Sequence, residues 1–104
     1  MLTVYGSKLC PDCVMLKKNC DTYGIAYEFK DITESLLFMK EFLKLRDASN
    51  EFDEAKASGS IGIPCILNEG QNLTLDWKKV VTENGFTPFE EEKKTCSLNN
   101  RSGC

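Results

Sequence analysis

The feature that most narrows what this chain can fold into is Cys10-Pro11-Asp12-Cys13, placed where a short apolar run gives way to a helical pattern. Residues 2–5 are β-branched and apolar enough for a short buried strand, which Gly6-Ser7-Lys8 breaks. Over 11–23, Cys13, Leu16, Cys20 and Tyr23 recur at helical spacing, and Gly24 stands where a helix stops. Residues 25–32 then alternate, Tyr27 and Phe29 against Glu28 and Lys30, as a half-buried strand does. A strand–helix–strand opening favours a parallel pair with a right-handed crossover.

Downstream, the pattern predicts a helix over 33–46 with Leu36, Leu37, Met39, Phe42 and Leu43 on its apolar face. A short extra helix over 49–57 packs Phe52 and Ala55. The loop Ser58-Gly59-Ser60-Ile61-Gly62 leads into Ile63-Pro64, and strands over 65–67 and 73–75 form a hairpin around 68–72. Asp76 caps a last helix over 77–84, which Gly85 ends. The expected class is α/β: a central four-stranded mixed sheet with helices on both faces. Residues 1–84 form the domain, and 85–104 are expected to be a disordered or loosely packed tail.

Composition enters where it limits partners and chemistry. With a net charge of −3 and no run of Lys or Arg, neither nucleic acid nor an anionic membrane is an expected partner. The N-terminal apolar run is too short for a signal peptide, and no window is long enough to span a bilayer, so a cytoplasmic protein is expected. There the six cysteines should rest mainly as thiols. The chain has no histidine, which rules out any mechanism with an imidazole base.

Pro11 suits the first helical position, so Cys10 falls at a helix N-terminus, near unpaired N–H groups and the positive end of the dipole. Such sites favour a thiolate, lowering a Cys pKa from ~8.5 to roughly 3.5–7.5. Cys10 is therefore the candidate nucleophile. Cys13, one turn on, is the candidate resolving thiol. Lys8 could assist the anion, whereas the Asp12 carboxylate opposes a second negative charge. A structural zinc site is the competing reading, but no second pair with tight spacing is present, and Cys65, Cys96 and Cys104 are scattered.

With C-P-D-C after the first strand and Gly62-Ile63-Pro64 before the third, residues 1–84 resemble the glutaredoxin family, in particular its compact bacterial relatives. That resemblance implies a thioredoxin fold and a disulfide reductase working by dithiol exchange. It also implies that Pro64 is a cis-proline facing the redox cysteines, with the Ile63 backbone pairing an extended substrate. Lys8, Pro11, Asp12 and Asp76 join Ile63 and Pro64 as substrate-binding positions. Three departures stand out: Asp12 replaces an aromatic residue, Gly62-Ile63-Pro64 replaces Thr-Val-Pro, and the paired glycines before the last helix are replaced around Leu73-Thr74. They weigh against glutathione recognition and leave the dithiol chemistry intact.

The expected substrates are protein or low-molecular-weight disulfides. The electron donor is either glutathione or a thioredoxin-reductase-type enzyme. No tightly bound cofactor or metal is expected, and a monomer is. The alternatives are an iron–sulfur or metal carrier using Cys10, and a redox-sensing regulator that acts by binding a partner. Cys20 and Cys65 read as core residues. Trp77 and Phe38 read as core or rim packing. Cys96 and Cys104 read as exposed thiols, with a second exchanging dithiol as the alternative, and Glu90-Glu91-Glu92-Lys93-Lys94 reads as solvated.

Overall fold

The computed structural model describes residues 1–90. Its elements run β1 (Leu2–Gly6), α1 (Pro11–Tyr23), β2 (Tyr27–Asp31), α2 (Leu36–Ala48), a 3-10 turn (Asn50–Phe52), α3 (Asp53–Ser58), β3 (Cys65–Leu67), β4 (Leu73–Thr74) and α4 (Trp77–Glu83). One four-stranded sheet has the order β2-β1-β3-β4. β1 pairs parallel to β2, with Val4 opposite Phe29, and antiparallel to β3, with Val4 opposite Ile66. The β3–β4 pair closes the antiparallel half.

The period of two along each strand divides the core into two layers. Leu2, Val4 and Ile66 point to a layer filled by Met15, Leu16 and Cys20 of α1 and by Trp77, Val80 and Val81 of α4. Tyr5, Cys65 and Leu67 point the other way, onto Phe42 of α2 and Phe52. Helices thus cover both faces of a mixed sheet. Burying a side chain such as Leu16, Phe42 or Phe52 contributes roughly 1.5–3 kcal/mol relative to exposure. Phe42 links the second layer together, its ring 6.4 Å from that of Tyr5 and 5.8 Å from that of Phe52.

Two sequence expectations need correction. The second helix begins at Leu36, because Ser35 is the residue that caps it, accepting from the Phe38 N–H at 3.2 Å. Thr33 is taken up by Asp31, to which it donates from its backbone N–H and its hydroxyl. On α2 the inward stripe is Phe38, Met39, Phe42 and Leu45, while Leu36, Leu37 and Leu43 face outward.

The second correction is the domain boundary at 84. Residues 86–90 dock back on α1. The fully buried Asn19 side chain donates to the Phe89 carbonyl and accepts from its N–H, both at 3.0 Å, as a strand neighbour would. The Tyr23 ring stacks on Phe86 at 4.5 Å, and its hydroxyl donates to the Thr87 carbonyl. Lys78 pairs with Glu90. The packed unit therefore reaches residue 90. Expectations for Glu91-Glu92-Lys93-Lys94, Cys96 and Cys104 lie outside the described residues.

Candidate functional site

The motif stands at the sheet end where the β1–α1 turn meets the β2–α2 turn. Cys10 is the N-cap of α1, extended at φ −98° and ψ 121°, and Pro11 follows at the first helical position. Cys10 and Cys13 belong to one apolar cluster with Tyr5, Ile63 and Cys65. Cys10 is disulfide-bonded and takes no side-chain capping hydrogen bond, whereas Cys13, Cys20 and Cys65 are free thiols. The two motif cysteines are thus not joined to each other in this structure.

Cys13 is fully buried, and loss of solvent pushes its thiol up to about 12. The carboxylates of Asp12 and Asp31 push in the same direction, while a hydrogen bond from the Ser7 backbone and the charge of Lys17 oppose them. Cys13 is therefore a protonated thiol at neutral pH. Burial also raises the thiols of Cys20, to about 11, and Cys65, to about 12, in keeping with core roles.

A polar lattice fixes the turn that carries Cys10. The Ser7 hydroxyl accepts from the Leu9 N–H at 3.1 Å and meets the Thr33 hydroxyl at 3.0 Å. Asp31 accepts from the Lys8 N–H at 3.2 Å and from the Thr33 N–H at 2.8 Å, and these donors hold its carboxyl below the usual range despite partial burial. Lys8 was a candidate partner for the Cys10 anion, but its ammonium is paired with Glu34, which raises its pKa.

Ile63–Pro64 is a cis peptide bond, as the resemblance implies. Both residues are buried. Arg46 of α2 clamps the loop ahead of them, donating from Nε to the Ile61 carbonyl and from Nη2 to the Ser60 carbonyl, each at 2.9 Å. Gly62 has φ +98°, and a Cβ there would come within 2.7 Å of the Phe52 ring. Gly6 is equally constrained: a Cβ would stand 2.7 Å from the Cys13 sulfur. Contacts this close need glycine. The sequence pattern marks Gly6 and Ser7 only as a strand break and gives no role to Arg46 or Asp31. Gly6 before a Cys-x-x-Cys helix was the one available cue.

A groove of about 340 Å³ brings several predicted positions together, lined by Asp12, Ile63, Pro64 and Asp76 along with Glu51 and Glu54. The motif reaches it through Asp12. Asp76 also caps α4, accepting from the Lys79 N–H at 3.2 Å. Pro11 is half-buried at the helix start, and Lys8 is not among the groove's lining. A larger concavity of about 840 Å³ lies beside Met1, Gly24 and Asn68 and includes none of the predicted site residues. Among the described residues, no group of three or more Cys, Asp or Glu is arranged to hold a metal ion, and no helix is long and apolar enough to cross a membrane.

Fold and site define an α/β protein whose Cys-x-x-Cys motif opens a helix and packs with a cis-proline loop. The chain belongs to the family of an uncharacterized protein from Haemophilus influenzae, to which it is 36% identical over 77 residues, 74% of this chain and 90% of that protein. No family model and no solved structure matches the chain.

Proposed function

We propose that the chain has a thioredoxin fold of the glutaredoxin type and is a cytoplasmic thiol–disulfide oxidoreductase. The observation that carries this reading is the position of Cys10 at the start of α1, one turn from Cys13, in the same apolar cluster as Ile63. Once its disulfide is reduced, Cys10 is the sulfur that the helix N-terminus favours as an anion.

The thiolate attacks one sulfur of a substrate disulfide. That bond breaks, a Cys10–substrate bond forms, and the departing sulfur takes up a proton. Cys13 then attacks the Cys10 sulfur, losing its own proton to solvent. A Cys10–Cys13 disulfide forms, the second substrate thiol leaves, and two electrons have passed from the dithiol to the substrate. A thiol or dithiol donor restores the starting state. The buried Cys13 thiol keeps its proton until this second attack, so resolution is the step that rises with pH.

The test is turnover of a small disulfide by purified protein with a dithiol donor. The reading predicts activity that Cys10→Ser abolishes. Activity that survives Cys10→Ser would overturn it.

A further inference from the structure

The Cys10 sulfur is held in a disulfide, and its partner is none of Cys13, Cys20 and Cys65, which are free thiols. The sequence has six cysteines, so the partner falls to Cys96 or Cys104, both beyond the described residues.

The path of the chain up to residue 90 points the same way independently. Tyr23, at the C-terminal end of α1, holds Phe86 and Thr87, and Asn19, about one turn nearer the N-terminus, holds Phe89. The segment therefore runs back along α1 toward the end that carries Cys10. Glu90 pairs with Lys78 at the start of α4, beside Asp76, which lines one groove with Asp12 and Pro64. At about 1.5 Å per helical residue, Cys10 lies roughly 14 Å along the axis from Asn19. Extended chain leading from Phe89 spans up to about 25 Å by Cys96 and about 50 Å by Cys104. Either thiol can reach.

Building on the oxidoreductase reading, we propose that a cysteine of residues 91–104 forms a disulfide with Cys10 and holds the nucleophile out of action until a dithiol donor releases it. A sulfur committed to a disulfide is no nucleophile, and Cys13 keeps its proton beside it. On opening, a donor thiolate attacks the sulfur of the terminal cysteine. The bond to Cys10 breaks, and Cys10 leaves as the anion that the helix start favours, which makes it the better leaving group. The donor's second thiol then closes the donor disulfide and expels the terminal cysteine as a thiol. Two electrons pass from donor to protein, and of the donor's two protons one goes to the terminal thiol and one to solvent.

The test oxidises the full-length protein with diamide, alkylates its free thiols in denaturant and maps linked peptides by mass spectrometry without reduction. The proposal expects Cys10 linked to Cys96 or Cys104, with Cys13 alkylated. The oxidised protein should also lose the burst of thiol release from a small neutral disulfide, and brief dithiol treatment followed by desalting should restore it. A Cys10–Cys13 link, an alkylated Cys10, or an oxidised protein that reacts as fast as the reduced one would overturn the proposal while leaving the oxidoreductase reading in place. If the reduced protein gives no burst either, the oxidoreductase reading itself falls and takes the proposal with it.

Discussion

At the scale of single residues, the site depends on close approach and on fixed partners. Gly6→Ala puts a methyl group 2.7 Å from the Cys13 sulfur, at the end of β1. Relief requires moving the start of α1, so about 1–3 kcal/mol of stability should be lost. Resolution should slow by more than mixed-disulfide formation does. Denaturant titration and stopped-flow traces of the two phases read these effects separately; equal slowing of both phases would point to general damage. Asp12→Asn removes a carboxylate that raises the Cys13 thiol, so that thiol should ionise at lower pH. A thiolate absorbance titration of a variant that retains Cys13 as its sole cysteine checks the direction. The opposing effect of the Asp12 carboxylate was legible in the sequence, whereas the close approach at Gly6 was not. Cys10, Cys13, Pro11 and Asp76 could be placed because their roles are local to helix starts. The partners of Gly6, Ser7, Asp31 and Arg46 are set by tertiary neighbours that spacing does not reveal. Lys8 illustrates the limit: proximity in sequence put it beside Cys10, but its charge went to Glu34.

At the scale of elements, most of the order was legible because strand alternation, helical stripes and Gly stops agree with one another. The failures occurred where two local options compete. Thr33 and Ser35 are both fair helix caps, and Ser35 wins because Asp31 claims Thr33. Residues 86–90 looked like tail because Phe86 and Phe89 lie among polar neighbours, yet Asn19 and Tyr23 bind their backbone. Asn19→Ala leaves the Phe89 N–H and carbonyl without that partner. It should cost about 1–3 kcal/mol and free residues 86–90, which hydrogen exchange at Phe89 would show. Phe52→Ala, in the turn that seats Gly62 and the cis-proline loop, should cost about 3–5 kcal/mol by equilibrium unfolding.

At the scale of the whole molecule, three buried free thiols among the described residues tie stability to alkaline pH. Cys13, Cys20 and Cys65 are raised to about 12, 11 and 12 in the folded chain, against ~8.5 when unfolded. Below the unfolded value both states hold these protons and the thiols add no pH dependence. Above it the unfolded chain loses protons that the folded chain keeps, so stability falls as pH rises toward the folded values. Each thiol should contribute a slope of about 1.4 kcal/mol per pH unit in that window. Unfolding free energies measured from pH 8 to pH 11 should be flat at first and then decline, and Cys20→Ala should make the decline shallower. The same layered packing that buries these thiols places the motif at one end of the sheet, beside an acidic groove and a proline loop held from α2.

The central claim, that Cys10 attacks and Cys13 resolves, is tested most directly by trapping. Reduced Cys10→Ser and Cys13→Ser variants are each mixed with a small neutral disulfide, and the adducts are mapped to individual cysteines by peptide mass spectrometry. The account predicts a persistent adduct on Cys10 in the Cys13→Ser protein and no adduct on Cys13 in the Cys10→Ser protein. An adduct on Cys13, or a Cys10 that stays unmodified while other thiols react, would contradict it.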